Sequence, residues 1–234
     1  MTNNKAVILL SGGLDSSTVL YQARADGYDC YAISFDYQQR HRRELEAAKT
    51  IARSAEVADH KLISFDLRQW GGSALTDSSI NLPQARSLDE MAQNIPVTYV
   101  PARNTIFLSF ALAYAETLNA SRVYIGVNAL DYSGYPDCRD DTLKALQVAL
   151  NLGMQRRFVL HTPLMWRDKA ETWRLAEEIG GAPLVEAVAE ETHSCYLGDR
   201  SRRHGWGFGC GACPACDLRR RGWEAHRAAA GTGG

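Results

Sequence analysis

Two clusters of residues in this chain have the types and spacing that chemistry requires. The first is Leu10-Ser11-Gly12-Gly13-Leu14-Asp15-Ser16-Ser17-Thr18, which follows a short apolar run and opens a segment of helical periodicity. It reads as strand, glycine turn and helix N-terminus. Paired glycines let the backbone approach a ligand, and the first amides of the helix, with Ser16 and Ser17, offer donors at the positive end of its dipole. An anion is the natural guest. The pattern G-x-x-x-x-G-K-[ST], whose Lys reaches the outer phosphates of a nucleotide, is not met, which disfavours a kinase-type loop. The bland alternative is a turn capped by Asp15 or Ser16.

The second cluster is Cys210-Gly211-Ala212-Cys213-Pro214-Ala215-Cys216, two overlapping C-x-x-C spacings, with Cys195 upstream. A tight turn lets neighbouring thiolates share one ion, and a thiolate from a distant segment closes a tetrahedral sulfur site, the geometry of structural zinc. An iron-sulfur cluster is the chemical competitor. His193 and His204 lie close in sequence but are left out, because four thiolates already fill such a site. Cys30, within a strand, is a small core residue.

The elements that must position these clusters alternate strand and helix. Lys5–Leu10, Asp29–Phe35, Lys61–Phe65, Arg122–Gly126 and Phe158–His161 are predicted strands. Helices are expected over Asp15–Ala25, Arg42–Ala55, Thr105–Leu118, Asp141–Leu152 and Asp168–Ile179, the last closed by Gly180-Gly181. Continuous apolar character in the second strand suits a parallel strand covered on both faces. The pattern predicts an open, doubly wound, Rossmann-like parallel sheet of five strands with ligands at the carboxyl ends. Residues 67–96 lack periodicity and are expected to form a long loop, a candidate lid. We divide the chain into a nucleotide-binding α/β domain, 1–189, a zinc-binding four-cysteine module, 190–222, and a C-terminal tail, 223–234, expected to be frayed from Ala228 on.

At 234 residues, 45% hydrophobic and 23% charged, with net charge −1, the composition is that of a soluble enzyme and makes no global case for nucleic acid or membrane. A run of ~18 apolar residues, the mark of a membrane span, is absent. The first residues run into a strand without a signal-peptide pattern, so a cytoplasmic location is expected. In that reducing setting clustered cysteines point to metal rather than disulfides.

The string S-G-G-x-D-S resembles the pyrophosphate loop of the N-type ATP pyrophosphatases, which cleave ATP between its α and β phosphates and adenylate a substrate. Four further stretches make the resemblance specific: Phe35-Asp36-Tyr37-Gln38-Gln39-Arg40-His41, Val100-Pro101-Ala102-Arg103-Asn104-Thr105, Asp131-Tyr132-Ser133-Gly134-Tyr135-Pro136-Asp137-Cys138-Arg139, and the four cysteines. Together they cover almost the whole chain and resemble the 7-cyano-7-deazaguanine synthases of queuosine biosynthesis. Gln38 and Ala102 depart from that family, which often has Gly at both places.

The resemblance implies ATP-dependent conversion of 7-carboxy-7-deazaguanine and ammonia to the nitrile, one Zn2+ per subunit, Mg2+ with ATP, and a homodimer. Leu10 through Leu20, including Val19, would bind ATP together with Asp36. Asp15, Ser16 and Ser17 would serve pyrophosphate or Mg2+, and Lys169 phosphate charge. Arg103 could pair with the substrate carboxylate, and Tyr132 and Tyr135 could stack on the heterocycle. Asp131 or Asp137 could accept from its N–H groups, and Tyr37, Gln39, Arg40, Asn104 and Arg139 complete the substrate set. Cys138 is a candidate nucleophile, and Cys195, Cys210, Cys213 and Cys216 are the zinc ligands. The rival reading is a tRNA-modifying ATP pyrophosphatase of the thiolation type, using a basic face of Arg200, Arg202, Arg203, Arg219, Arg220 and Arg221.

Overall fold

The computed structural model of the chain describes residues 4–82, 95–128 and 135–231. Five parallel strands, β1 (Lys5–Leu9), β2 (Asp29–Asp36), β3 (Asp59–Ser64), β4 (Arg122–Tyr124) and β5 (Val159–His161), form a sheet in the order β3-β2-β1-β4-β5. The helices are α1 (Leu14–Ala25), α2 (Arg43–Ser54), α3 (Arg103–Thr117), α4 (Asp140–Gly153), α5 (Lys169–Glu191) and α6 (Pro214–Gly231). A two-stranded ribbon, β6 (Arg203–His204) with β7 (Gly207–Phe208), lies between the last two helices.

Successive side chains of a strand point to opposite faces, and both faces of this sheet are covered. Val7, Leu9, Ile33, Phe35 and Val123 join Leu108, Ala111 and Leu112 of α3 in one core. Ala6, Ile8 and Ala32 join Val19, Leu20 and Ala23 of α1 and Ala48 and Ile51 of α2 in the other. The chain leaves β1 toward one side of the sheet and β4 toward the other. A crevice therefore opens between their carboxyl ends, where open parallel sheets bind ligands.

Several expected boundaries shift for local reasons. β3 begins earlier, at Asp59, because its register on β2 starts at Tyr31. Helix α3 starts at Arg103 because Ala102 turns the chain with a left-handed φ of 54°. Gln38 does the same at φ 64°. Both residues thus keep a glycine-type conformation, at a cost of about 1–2 kcal/mol each for a residue with a Cβ.

The expected end of α5 at Gly180-Gly181 is corrected: Gly181 is non-helical at φ 64°, but helical structure resumes through Pro183 to Glu191. Its start is fixed by a capping box between Asp168 and Glu171. The expected frayed tail is helical through Gly231. Among the described residues no helix is long and apolar enough to cross a membrane.

Candidate active site

At the carboxyl end of β1 the chain closes a tight ring. The Ser11 amide donates to Ser16 Oγ at 3.1 Å, the two hydroxyls lie 3.0 Å apart, and the Gly13 amide donates to Ser11 Oγ at 3.3 Å. Leu10, Ser11, Gly13, Leu14, Asp15 and Ser16 line one wall of a cavity at the switch point of the sheet. Gly12 has φ 90°, its carbonyl accepts from the His193 amide at 2.9 Å, and α2 packs directly against its Cα. Across the floor, a Cβ on Gly126 would stand 2.9 Å from the Ser16 nitrogen, so the absent side chain lets β4 approach the helix N-terminus.

The rest of the loop string serves differently from the expectation. Ser17 Oγ donates to the Gly13 carbonyl at 2.7 Å and Thr18 Oγ1 to that of Leu14 at 3.0 Å. Both are fully buried with Val19 and Leu20. The helical period turns these four residues away from the cavity, so they brace the loop from behind. Lys169 also stands back: its ammonium grips both carboxylate oxygens of Asp15, at 2.9 and 2.8 Å, and is almost fully buried. Lys169 therefore holds Asp15 rather than reaching into the cavity.

The opposite wall comes from β2, α3 and the segment after residue 134. Arg103 lies over Tyr37 and Phe107 at 5.7 and 5.9 Å and donates to the Tyr37 hydroxyl at 3.3 Å. Burial works against its charge. The Tyr37 and Tyr135 phenols, Asp137 and Cys138 outweigh that and hold its pKa above the usual arginine value. Tyr135 lines the cavity, its hydroxyl 2.6 Å from Thr98 Oγ1. Gln39 and Arg40 line it too. Gln39 Oε1 accepts from the Tyr37 amide, and the Arg40 guanidinium donates to the carbonyls of Asp77 and Ile80. The described part of the long loop is therefore anchored over this wall by Arg40.

Three expected ligand-facing residues stand off the cavity wall, two of them with structural partners. Asp36 accepts from the Gln38 amide and pairs with Arg42 at 3.0 Å. Asp137 accepts from the Asn104 amide at 2.8 Å. Arg139 is the N-cap residue of α4. None of the three lines the cavity. Asn104 does line it, donating to Cys138 Sγ at 3.1 Å. Burial, then the Asp137 charge, push the Cys138 thiol up to about 12, against the pull of Arg103, so it is a neutral thiol at physiological pH. Asp131 and Tyr132 lie outside the described residues.

Among the cavity-lining residues that carried no role in the sequence reading are Glu44 and His41. Glu44 sits in the first turn of α2 and contributes a carboxyl that has neither hydrogen bond nor ion pair among the described residues. Burial raises it to about 7 against the pull of Arg103. In sequence it belongs to the charged run Arg42-Arg43-Glu44-Leu45-Glu46, which looks like a solvated helix face. His41 is kept below the usual imidazole range by burial, and its ring meets that of His193 edge-on at 5.7 Å.

The sulfur atoms of Cys195, Cys210, Cys213 and Cys216 all lie within 4.8 Å of one another, with Cys210 and Cys216 at 3.9 Å. Thiolates on one tetrahedral zinc at about 2.3 Å stand roughly 3.8 Å apart, so the cluster fits such an ion. Backbone amides of Ala212 and Cys213 point at Cys210 Sγ at 3.4 and 3.3 Å. A Cβ on Gly209 would fall 2.6 Å from Cys216 Sγ.

Most arginines of the basic face expected beside this cluster are buried or paired. Arg219 is fully buried, donating to the Trp206 carbonyl and Ser194 Oγ. Arg220 and Arg221 pair with Asp217, and Arg203 pairs with Glu186 and Glu190.

Residues 5–227 match the model of a protein family described as queuosine biosynthesis protein QueC. The chain is 60% identical over 220 residues to the 7-cyano-7-deazaguanine synthase of Trichodesmium erythraeum (strain IMS101), covering 92% of this chain and 93% of that protein. It is 52% identical over 235 residues to the 7-cyano-7-deazaguanine synthase of Alkalilimnicola ehrlichii (strain ATCC BAA-1101 / DSM 17681 / MLHE-1), covering 97% and 96%. Among solved structures, a 4-thiouridine synthetase–RNA complex with bound ATP has a TM-score of 0.49 at 19% identity, covering 96% of this chain and 53% of that one.

Proposed function

Because the chain belongs to the family of queuosine biosynthesis protein QueC, we propose that it converts 7-carboxy-7-deazaguanine and ammonia to 7-cyano-7-deazaguanine with ATP. The observation that carries this reading is one cavity with the Ser11–Ser16 anion loop on one wall and Arg103, among Tyr37, Phe107 and Tyr135, on the other. A carboxylate is a poor acyl donor because its leaving group would be oxide. Transfer of an adenylyl group to it creates a mixed anhydride from which AMP departs readily.

In this reading the loop amides and the Ser11 and Ser16 hydroxyls hold the pyrophosphate portion of ATP as charge develops on it. Asp15, fixed by Lys169, is the carboxylate that would hold Mg2+. Arg103 fits a substrate carboxylate through its planar fork, and Tyr37, Phe107 and Tyr135 offer apolar faces to a flat heterocycle. Ammonia attack gives the amide. A second activation, at the amide oxygen, followed by its loss gives the nitrile.

Zn2+ is the ion we assign to the four thiolates, where it supplies a cross-link between the Cys195 segment and the Cys210–Cys216 turn. Residues 1–189 carry the nucleotide chemistry and 190–222 the metal. The cytoplasm is the expected compartment. A homodimer is the expected assembly, and the exposed Val148 and Leu152 of α4, near the edge strand β5, supply an apolar face for a second copy.

The test is incubation of the purified protein with ATP, Mg2+, ammonium and 7-carboxy-7-deazaguanine, with mass spectrometry for nitrile and AMP. Absence of nitrile with every component present overturns the proposal. The mechanism needs no covalent thioester at Cys138, whose thiol burial and the Asp137 charge push up, away from the thiolate. Cys138→Ser is expected to keep nitrile turnover within about tenfold of the parent, whereas removal of a true nucleophile costs on the order of 10⁶-fold.

A further inference from the structure

Glu44 is a charged group in the cavity that the mechanism above leaves unused. Its backbone is pinned to the anion loop: a Cβ on Gly12 would lie 2.1 Å from the Glu44 carbonyl oxygen. Its side chain lines the same cavity as Ser11, Ser16 and Arg103. A carboxyl in such a place, with no hydrogen bond or ion pair from the described residues, is left to meet a ligand.

Which ligand follows from position and charge, resting on the synthase reading. The carboxyl carbon of the substrate must meet the α-phosphate of ATP at the loop, while the amino edge of the deazaguanine lies at the far end of its ring system. A group tethered to Gly12 is therefore beside the reacting carbon, not beside that edge. Negative phosphates at the loop make a second bare carboxylate there unfavourable unless a cation or a proton compensates it. Ammonium is a cation with four N–H donors and is itself the source of the nucleophile.

We infer that Glu44 binds ammonium beside the acyl adenylate and accepts a proton from it, releasing ammonia at the carbon it attacks. The N–H bond breaks with its electron pair left on nitrogen, and that pair forms the C–N bond. The C–O bond to AMP breaks, with its pair leaving on the phosphate oxygen. The second proton lost from nitrogen passes to water.

The surroundings of Glu44 fit this task. Arg103 of α3 favours its ionised form, and the phenol of Tyr37, above its ordinary pKa through burial, stays neutral. Arg40 lines the cavity but is engaged with the carbonyls of Asp77 and Ile80. His41, its pKa lowered, is neutral. Asp15 across the loop is compensated by Lys169. Cys195 acts on Glu44 only by its charge, in the raising direction. A carboxyl held at about 7 changes state within the working range of a general base.

The test compares the full-length protein with Glu44→Gln in two measurements. The first omits ammonium and follows adenylation of 7-carboxy-7-deazaguanine by pyrophosphate release. The second adds ammonium and follows amide and nitrile against its concentration. Glu44→Gln should keep adenylation and the KM for the heterocycle while kcat/KM for ammonium falls by about 100-fold. At fixed total ammonium the parent rate should rise through about pH 7 and then flatten, whereas the variant should climb in proportion to free ammonia. Wild-type ammonium dependence in the variant, a raised KM for the heterocycle alone, or loss of adenylation each overturns the inference. Failure of the parent itself to adenylate the substrate overturns the synthase reading instead.

Discussion

Removal of the metal by a chelator, or Cys213→Ser, is expected to destabilise the protein by several kcal/mol and to weaken ATP binding at the same time. Closed tetrahedral zinc sites contribute on the order of 10 kcal/mol of apparent folding free energy in isolated fingers. A larger domain with its own core loses part of that. Here the sulfur cluster shares a core with the chemistry: Cys195, Cys213 and Cys216 pack with Leu14 at the start of α1 and with Trp173 of α5.

Two further ties run from the same module to the anion loop. The His193 amide donates to the Gly12 carbonyl at 2.9 Å, and Gly222 of α6 lies so close to Lys169 that a Cβ would stand 2.3 Å from the Lys169 Cβ. Loosening the module should thus free Lys169 and Asp15 together. Thermal unfolding with metal content checks the first effect, and ATP titration of still-folded protein checks the second. Unaltered ATP affinity in metal-free, folded protein would show that the module is a separate staple.

The second large effect is at Gly12. With φ 90°, an added Cβ would lie 2.1 Å from Glu44 O, 2.6 Å from Ala48 N and 3.1 Å from Ala47 Cβ. Two of those atoms are helix backbone, which cannot rotate away. Gly12→Ala should therefore combine about 1–2 kcal/mol of backbone strain with about 1–3 kcal/mol of overpacking. Any variant that folds must push α2 off the loop, displacing Glu44 and opening the ring of hydrogen bonds around Ser11 and Ser16.

Gly72→Ala is the internal control. Gly72 also has positive φ, at 79°, but nothing lies within 4 Å of an added Cβ, so only the backbone strain applies. Denaturant unfolding of the two variants should differ by the packing contribution, and equal losses would mean that α2 yields without cost. Turnover should fall steeply in Gly12→Ala and little in Gly72→Ala.

The sequence by itself determined the sheet, the helices and both chemical clusters, because each rests on local signals. Apolar period, glycine turns and a cap at Asp168 act within a few residues, and C-x-x-C holds its thiols together through the turn itself. The family resemblance rested on the same short strings. Contacts between distant segments left no such local mark. Ser17 and Thr18 look like Ser16 in sequence, yet helical rotation turns their hydroxyls onto the backbone behind the loop.

Lys169, Asp36, Asp137 and Arg219 carry charges that a linear reading assigns to ligands or to solvent. The fold gives each a partner first, because a buried charge or donor without one is costly. The reverse holds for Glu44. Its charged neighbours make it look like part of a solvated face, and the packing of α2 over Gly12 sets it in the cavity wall without a partner among the described residues. Tertiary structure decided which polar groups are spent on the scaffold and which remain for the substrate, because that depends on contacts between residues far apart in the chain.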